Sequence, residues 1–317
     1  MPARLRLIIP LVIAAIVSAV SQAPASARSS SRPPVGTPAS SVDLATVPGG
    51  SAFEEGRAIP LRGAKPSWLT PRLERKVRSR AGTPVAAPIH APLPSEVGIR
   101  PGSWMVSPAG CTMNFVFKKS GSFGIGTAGH CVDKTGQHVI LLTLAPGNGN
   151  PVLVDIGTVV TLKDGGVGND FALVSIYPSL NSWVSPTTAV VGGPCGAYTG
   201  SGLVSVSNPL GSVKVGPSSY GPESVWHYGH GLAIGTGGTP RAGAAWIWAS
   251  DYFAWDSPSI FGDSGSPVRV TDLKAAGNLT HLVVGLRYVP AMVAGTRIGK
   301  IQQISGRWRL VSSPLCV

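Results

Sequence analysis

Of the chain's 317 residues, the roughly 220 from about Glu96 to Val317 are enough for one sizeable domain or two fused barrels, and its 41 Gly and 29 Pro anticipate many turns. The net charge of +12 is uneven: thirteen Lys and Arg stand against five Asp and Glu in residues 1–100, and thirteen against nine in residues 101–317. The basic excess therefore sits in the N-terminal third, in a stretch without interleaved aromatics, which argues against a nucleic-acid-binding fold.

In chain order, Arg4 and Arg6 precede an apolar run from Leu7 to Val20 and the small residues "APASA" at Ala23–Ala27. That is the pattern of a secretory signal peptide, residues 1–27, with an extracellular destination. The apolar run falls short of the roughly 20 residues that span a bilayer, so no stable membrane insertion is expected. Residues 28–100 are rich in Pro, Ser and Ala without a sustained period, as in "RSSSRPPVGTPASS", and are expected to be a largely disordered pro-segment or linker. Within them, "RLERKVRSR" at Arg72–Arg80 reads as a solvated run or as a site for trypsin-like processing.

Residues 101–317 have a different texture. Short runs such as "MNFVF", "VILLTL", "VLVDIGTVV" and "FALVSI", separated by Gly, Pro, Asn and Asp, predict an all-β sandwich or barrel. Four cysteines, Cys111, Cys131, Cys195 and Cys316, imply disulfides in an exported chain, with three connectivities open on spacing alone. They show no zinc-type spacing.

Ser264, in "FGDSGSP", is a candidate nucleophile, but a serine hydroxyl needs a base within hydrogen-bond reach and a third group to hold that base. His130, in "TAGHC", falls at a predicted strand end, with Cys111 able to close a loop beneath it through Cys131. Asp170, in "GNDFALVSI", ends a glycine-rich turn and leads a strand; Asp155, Asp164 and Asp251 have similar or weaker settings.

Taken in order, "TAGHC", "NDFAL" and "GDSGSP" resemble the three catalytic segments of the chymotrypsin/trypsin-like serine proteases, in particular secreted bacterial members made with a pro-segment. The resemblance covers about Cys111 to the C-terminus. It implies two six-stranded antiparallel β-barrels with the site in the cleft between them, His130 and Asp170 coming from the first and Ser264 from the second. His130 would then be general base and acid, Asp170 its orienting carboxylate and Ser264 the nucleophile. The backbone N–H groups of Gly262 and Ser264 would form the oxyanion hole, with Asp263 a structural support. The resemblance also pairs Cys111 with Cys131 and leaves Cys195 with Cys316. The implied activity is that of a secreted, monomeric serine endopeptidase acting on proteins or peptides with neither cofactor nor metal. Rival classes are an inactive protease-fold binding module and a serine esterase; the order His, Asp, Ser and the missing G-x-S-x-G elbow count against the common esterase fold.

Several features depart from the best-known members. No "IVGG"-type start supplies an amine for Asp263. Pro258 stands where a trypsin carries its specificity aspartate, with Asp256 and Phe261 nearby, and the expected pocket wall Gly285–Pro290 holds the bulky Arg287, Tyr288 and Pro290. His227 and His230 are expected in a surface loop with core aromatics, not in a metal site, and His230 is a candidate for lining a pocket that takes an acidic side chain. Asn278-Leu279-Thr280 is a glycosylation sequon.

Overall fold

The computed structural model describes residues 57–200, 204–208, 211–215, 223–231, 238–284 and 291–316. The signal peptide, the pro-segment up to residue 56 and the pocket-wall residues Arg287, Tyr288 and Pro290 lie outside the described residues. In chain order come β1 (Arg57–Pro60), α1 (Pro71–Arg78), β2 (Val85–Ala86), β3 (Trp104–Ser107), β4 (Cys111–Thr112), β5 (Val116–Lys119), β6 (Ser122–Thr127), β7 (His138–Leu144), β8 (Pro151–Asp164) and β9 (Asp170–Ile176). There follow β10 (Val204–Asn208), β11 (Gly211–Val215), β12 (Glu223–Gly229), β13 (Thr239–Trp248), β14 (Tyr252–Asp256), β15 (Pro267–Val270), β16 (Ala275–Val284), β17 (Ala291–Arg297), α2 (Ile298–Ser305) and β18 (Arg309–Leu310).

The fold is all-β and antiparallel, as the short apolar runs separated by turn residues predicted. In the second half the strand order β16-β15-β12-β13-β14-β17 is closed by pairing of β17 back onto β16, which makes a six-stranded barrel. Closure leaves no unpaired sheet edge inside the barrel. In the first half the order is β18-β5-β6-β9-β8-β7-β3-β4. Its two ends are joined covalently, because β4 runs on through Met113–Phe115 into β5, which curls this sheet into an incompletely hydrogen-bonded barrel. The hairpin β10–β11 stands as a separate two-stranded sheet. Each barrel has its own interior: Met105, Ile125, Leu141, Val154 and Val174 belong to the core of the first, and Val225, Trp248, Phe253, Trp255 and Val268 to that of the second. Each such side chain contributes about 1.5–3 kcal/mol of burial.

Residues 57–100 correct the expectation of a largely disordered segment. Thr70 caps α1 by accepting a hydrogen bond from Leu73 N–H at 3.3 Å, and Pro71 occupies the first turn, where its missing donor costs nothing. Leu69, Val77 and Val85 then bury against Val106, Ile140 and Leu153 of the first barrel. Glu74 accepts from Lys65 at 2.8 Å, Arg78 at 2.5 Å and Ser107 at 2.7 Å, tying the helix to the end of β3. Arg72, Arg75 and Lys76 form the exposed face of this helix. Beyond it, β2 pairs with β8, while β1 pairs antiparallel with β16 of the second barrel. Among the described residues no helix is long and apolar enough to cross a membrane.

Candidate active site

The first barrel presents His130 on a single 3-10 turn, Gly129–Cys131, just past the end of β6. A side chain at Gly129 would run into the Lys163 carbonyl, so the tight approach of this turn to β8 requires glycine there. The Cys111–Cys131 disulfide ties the turn to β4. Asp170 opens β9 and is fully buried. Its backbone is pinned from the second barrel: its N–H donates to Thr296 Oγ1 at 3.1 Å, and its carbonyl accepts from Asn278 Nδ2 at 3.2 Å.

These elements bring the three expected residues together. His130 Nδ1 lies 2.6 Å from Asp170 Oδ2, and His130 Nε2 lies 2.6 Å from Ser264 Oγ. The carboxylate fixes the tautomer, with the proton on Nδ1 and the lone pair of Nε2 facing the serine hydroxyl. Asp170 Oδ1 also accepts the backbone N–H groups of Gly129 and His130. Burial alone would push the Asp170 carboxyl up, but the charge and hydrogen bond of His130, then the charge of His281, hold it below the ordinary carboxylate value. Ser264 Oγ also lies 3.0 Å from the Thr280 carbonyl.

The Ser264 loop is held from within the second barrel. Gly262 has φ +104°, a conformation that favours glycine, and a Cβ there would meet the His230 carbonyl at 2.8 Å. Asp263 is fully buried and accepts backbone N–H groups from Gly231 and Ile260, each at 2.8 Å. Its remaining partner is Arg241 on β13, whose Nη1 pairs with Asp263 Oδ2. Arg241 thus supplies the cation paired with Asp263, and sequence reasoning passed over it because a lone arginine in "TPRAGAA" carries no motif.

A second residue missed from sequence is His281 on β16. Its ring lies 5.4 Å from that of His130, and its Nδ1 is 3.7 Å from Asp170 Oδ2. Burial pushes it down to about 4, against the pull of Asp170. His130, Asp170 and His281 bring potential metal-ligand atoms within 4.8 Å of one another. Two of those atoms are already engaged: His130 Nδ1 bonds Asp170, and His281 Nδ1 lies 2.8 Å from Thr280 Oγ1.

His227 and His230 are not in a surface loop. His227 is on β12 and His230 directly follows that strand, and both are buried. Nor does His230 await an acidic ligand: its Nε2 donates to the Gly102 carbonyl at 2.9 Å, 3.1 Å from Oε2 of the buried Glu96. A carboxylate of the chain itself fills that role, with the Tyr228 hydroxyl donating to Glu96 Oε1 at 2.6 Å. Asp155 lies elsewhere in the first barrel, paired with His138 at 2.7 Å. Asp256 is exposed and accepts from Ala244 N–H and Trp246 Nε1, while the Pro258 carbonyl accepts from Arg241 at 3.3 Å. Asn278 of the sequon is fully buried, with both ends of its amide bonded to Asp170 and Thr296, which leaves nothing to glycosylate in the folded chain. Cys195 and Cys316 form the second disulfide.

The chain's own segment after β1 runs beside the Ser264 loop. Leu61, directly after β1, donates its N–H to the Thr280 carbonyl at 3.1 Å and accepts from Gly262 N–H at 2.7 Å.

No family model matches the chain, and neither does any curated protein. Solved structures do. Protease A of Thermobifida fusca is 21% identical over 70% of this chain and 100% of its own, with a TM-score of 0.39. A homolog of alpha-lytic protease, N4, is 14% identical over 67% and 98%, with a TM-score of 0.41. A Glu endopeptidase is 16% identical over 70% and 94%, also with a TM-score of 0.41. All three carry protease or endopeptidase names.

Proposed function

We propose that this protein is a serine endopeptidase that hydrolyses peptide bonds through an acyl-enzyme. The observation that carries the reading is the pair of 2.6 Å contacts linking Ser264, His130 and Asp170 in a buried line. In the proposed cycle His130 takes the Ser264 proton as Oγ attacks the substrate carbonyl, and Asp170 stabilises the imidazolium that forms. The N–H groups of Gly262 and Ser264 receive the developing oxyanion. His130 then protonates the leaving amine, and water completes the cycle by hydrolysing the ester. The Asp263–Arg241 pair supports this loop without needing a freed N-terminal amine, so the site is assembled before any cleavage.

The apolar run and small residues of 1–27 support export, and the protein is proposed to act outside the cell as a monomer on protein or peptide chains. The segment that follows is proposed to be a pro-segment. Hydrolysis of casein by the secreted protein tests the activity. Ser264→Ala and His130→Ala are each expected to lose roughly 10⁶-fold in turnover. Hydrolysis of activated esters with casein untouched would make it an esterase, and indifference to both substitutions would make it a binding module.

A further inference from the structure

Residues 57–63 run through the site in a particular register. β1 pairs antiparallel with β16, with Ile59 opposite Leu282 and Pro60 opposite His281, and Leu61 N–H continues the ladder onto the Thr280 carbonyl. Donors alternate along an antiparallel edge, so the position of Pro60, which has no N–H, faces away from β16. One residue on, the Leu61 carbonyl accepts the Gly262 N–H at 2.7 Å, within the loop that carries Ser264. The chain then crosses to the first barrel. Arg62 Nη1 donates to the His130 carbonyl at 2.7 Å and its Nη2 pairs with Asp133 at 3.1 Å, while Gly63 and Gly110 exchange N–H to carbonyl bonds at 2.9 and 3.1 Å. A Cβ on Gly63 would collide with the Gly110 carbonyl, which explains glycine at this crossing.

An edge strand that merely completed a barrel would need neither the bond to Gly262 nor the crossing. The pattern is that of an extended substrate: residues before Leu61 on one barrel, residues after it on the other, and one carbonyl held on the loop of the nucleophile. The Leu61 side chain is 1% exposed and belongs to the apolar core cluster of the second barrel, with Val225, Trp255 and Leu279.

We propose that the Leu61–Arg62 peptide bond is the protein's own processing site, cut within the same molecule, and that the pocket holding Leu61 selects a medium-sized aliphatic side chain before the cut in other substrates. This rests on the protease reading above. Ser264 Oγ adds to the Leu61 carbonyl carbon as His130 takes its proton. The C–N bond to Arg62 breaks and that nitrogen receives the proton, leaving Leu61 esterified to Ser264. Water then hydrolyses the ester, giving a Leu61 carboxylate and a chain that begins at Arg62. The new N-terminal residue keeps its contacts to His130 and Asp133.

Intact mass and N-terminal sequencing of the purified full chain test this. Wild type is expected to yield a new N-terminus at Arg62 with a first-order rate constant that does not change over a tenfold range of protein concentration. Ser264→Ala is expected to stay whole, Leu61→Met to process normally and Leu61→Lys to slow at least about 100-fold, because the pocket leaves an ammonium unpaired. Since Leu61→Lys can fail by misfolding, the synthetic peptide of residues 57–65, RAIPLRGAK, is also offered to wild type, with RAIPKRGAK as its control. Cleavage of the first between Leu and Arg, and not of the second, supports the pocket assignment. Ser264-dependent hydrolysis of casein with the Leu61–Arg62 bond intact, or a mature terminus elsewhere, overturns this inference and leaves the protease reading standing. Failure to cut casein, peptide and the chain's own bond removes both.

Discussion

Replacing Arg241 with methionine removes the cation paired with Asp263 and keeps most of the aliphatic bulk. The two side chains are 6% and 0% exposed, so water does not replace the lost charge. Breaking a buried pair from one side costs about 3–5 kcal/mol. Arg241 also donates to the Gly229 and Pro258 carbonyls at 3.3 Å each, and these lose a donor together with the pair. The two remaining N–H bonds to Asp263, from Gly231 and Ile260, soften the loss, which places the expected cost near 4 kcal/mol. That is a large share of the roughly 5–15 kcal/mol by which a domain is stable. Urea unfolding followed by tryptophan fluorescence, with Ser264→Ala in every variant to prevent digestion, gives the numbers. The double variant Arg241→Met/Asp263→Asn is expected to recover at least half of the loss, since no uncompensated charge remains. A cost below about 1 kcal/mol, or a double variant no more stable than the single, would refute the argument that the ion pair braces this loop.

Two other perturbations follow from the geometry. Burial pushes His227 and His281 down to about 4, so the unfolded chain binds protons that the folded chain refuses. Stability is then expected to be full above about pH 6.5 and to fall progressively toward pH 4, by up to roughly 3 kcal/mol per histidine. His227→Asn should flatten that slope in unfolding midpoints measured across the window, and an unchanged slope would count against the assignment. Opening the Cys195–Cys316 disulfide, which closes a sequence separation of 121 residues, with a double serine variant is expected to cost about 2–5 kcal/mol in the same urea assay.

What the sequence displayed was whatever is local. Apolar runs such as "FALVSI" become strands because both of their faces find cover, Ala172 and Val174 in the interior of the first barrel and Phe171 and Leu173 against Ile301 and Trp308, and Ser264, His130 and Asp170 each sit in a short stretch with its own turn chemistry. Partners fixed by register were invisible. Nothing near Arg241 announces Asp263, and nothing near His230 announces Glu96, because those pairings exist only once strands have closed around them. The α1 segment was hidden for another reason: its Pro-rich surroundings read as solvated chain, although Thr70-Pro71 and the spacing of Leu73 and Val77 were a helix start in plain view. His281 lay at the head of an apolar run, "HLVVGLRYV", with nothing beside it to announce Asp170.

The pairing of β1 with β16 is made of main chain, and main-chain groups are common to every residue. Under the proposed activity, a substrate that takes the place of β1 must offer about four consecutive residues in extended form before any side chain is sampled. Shape is thus read ahead of composition. A helix or a tightly folded domain is a poor guest however suitable its leucines, whereas a loosened loop or a chain still unfolded is a good one. In the proposed protease, the surface that now holds β1 would also sort rigid neighbours from yielding ones.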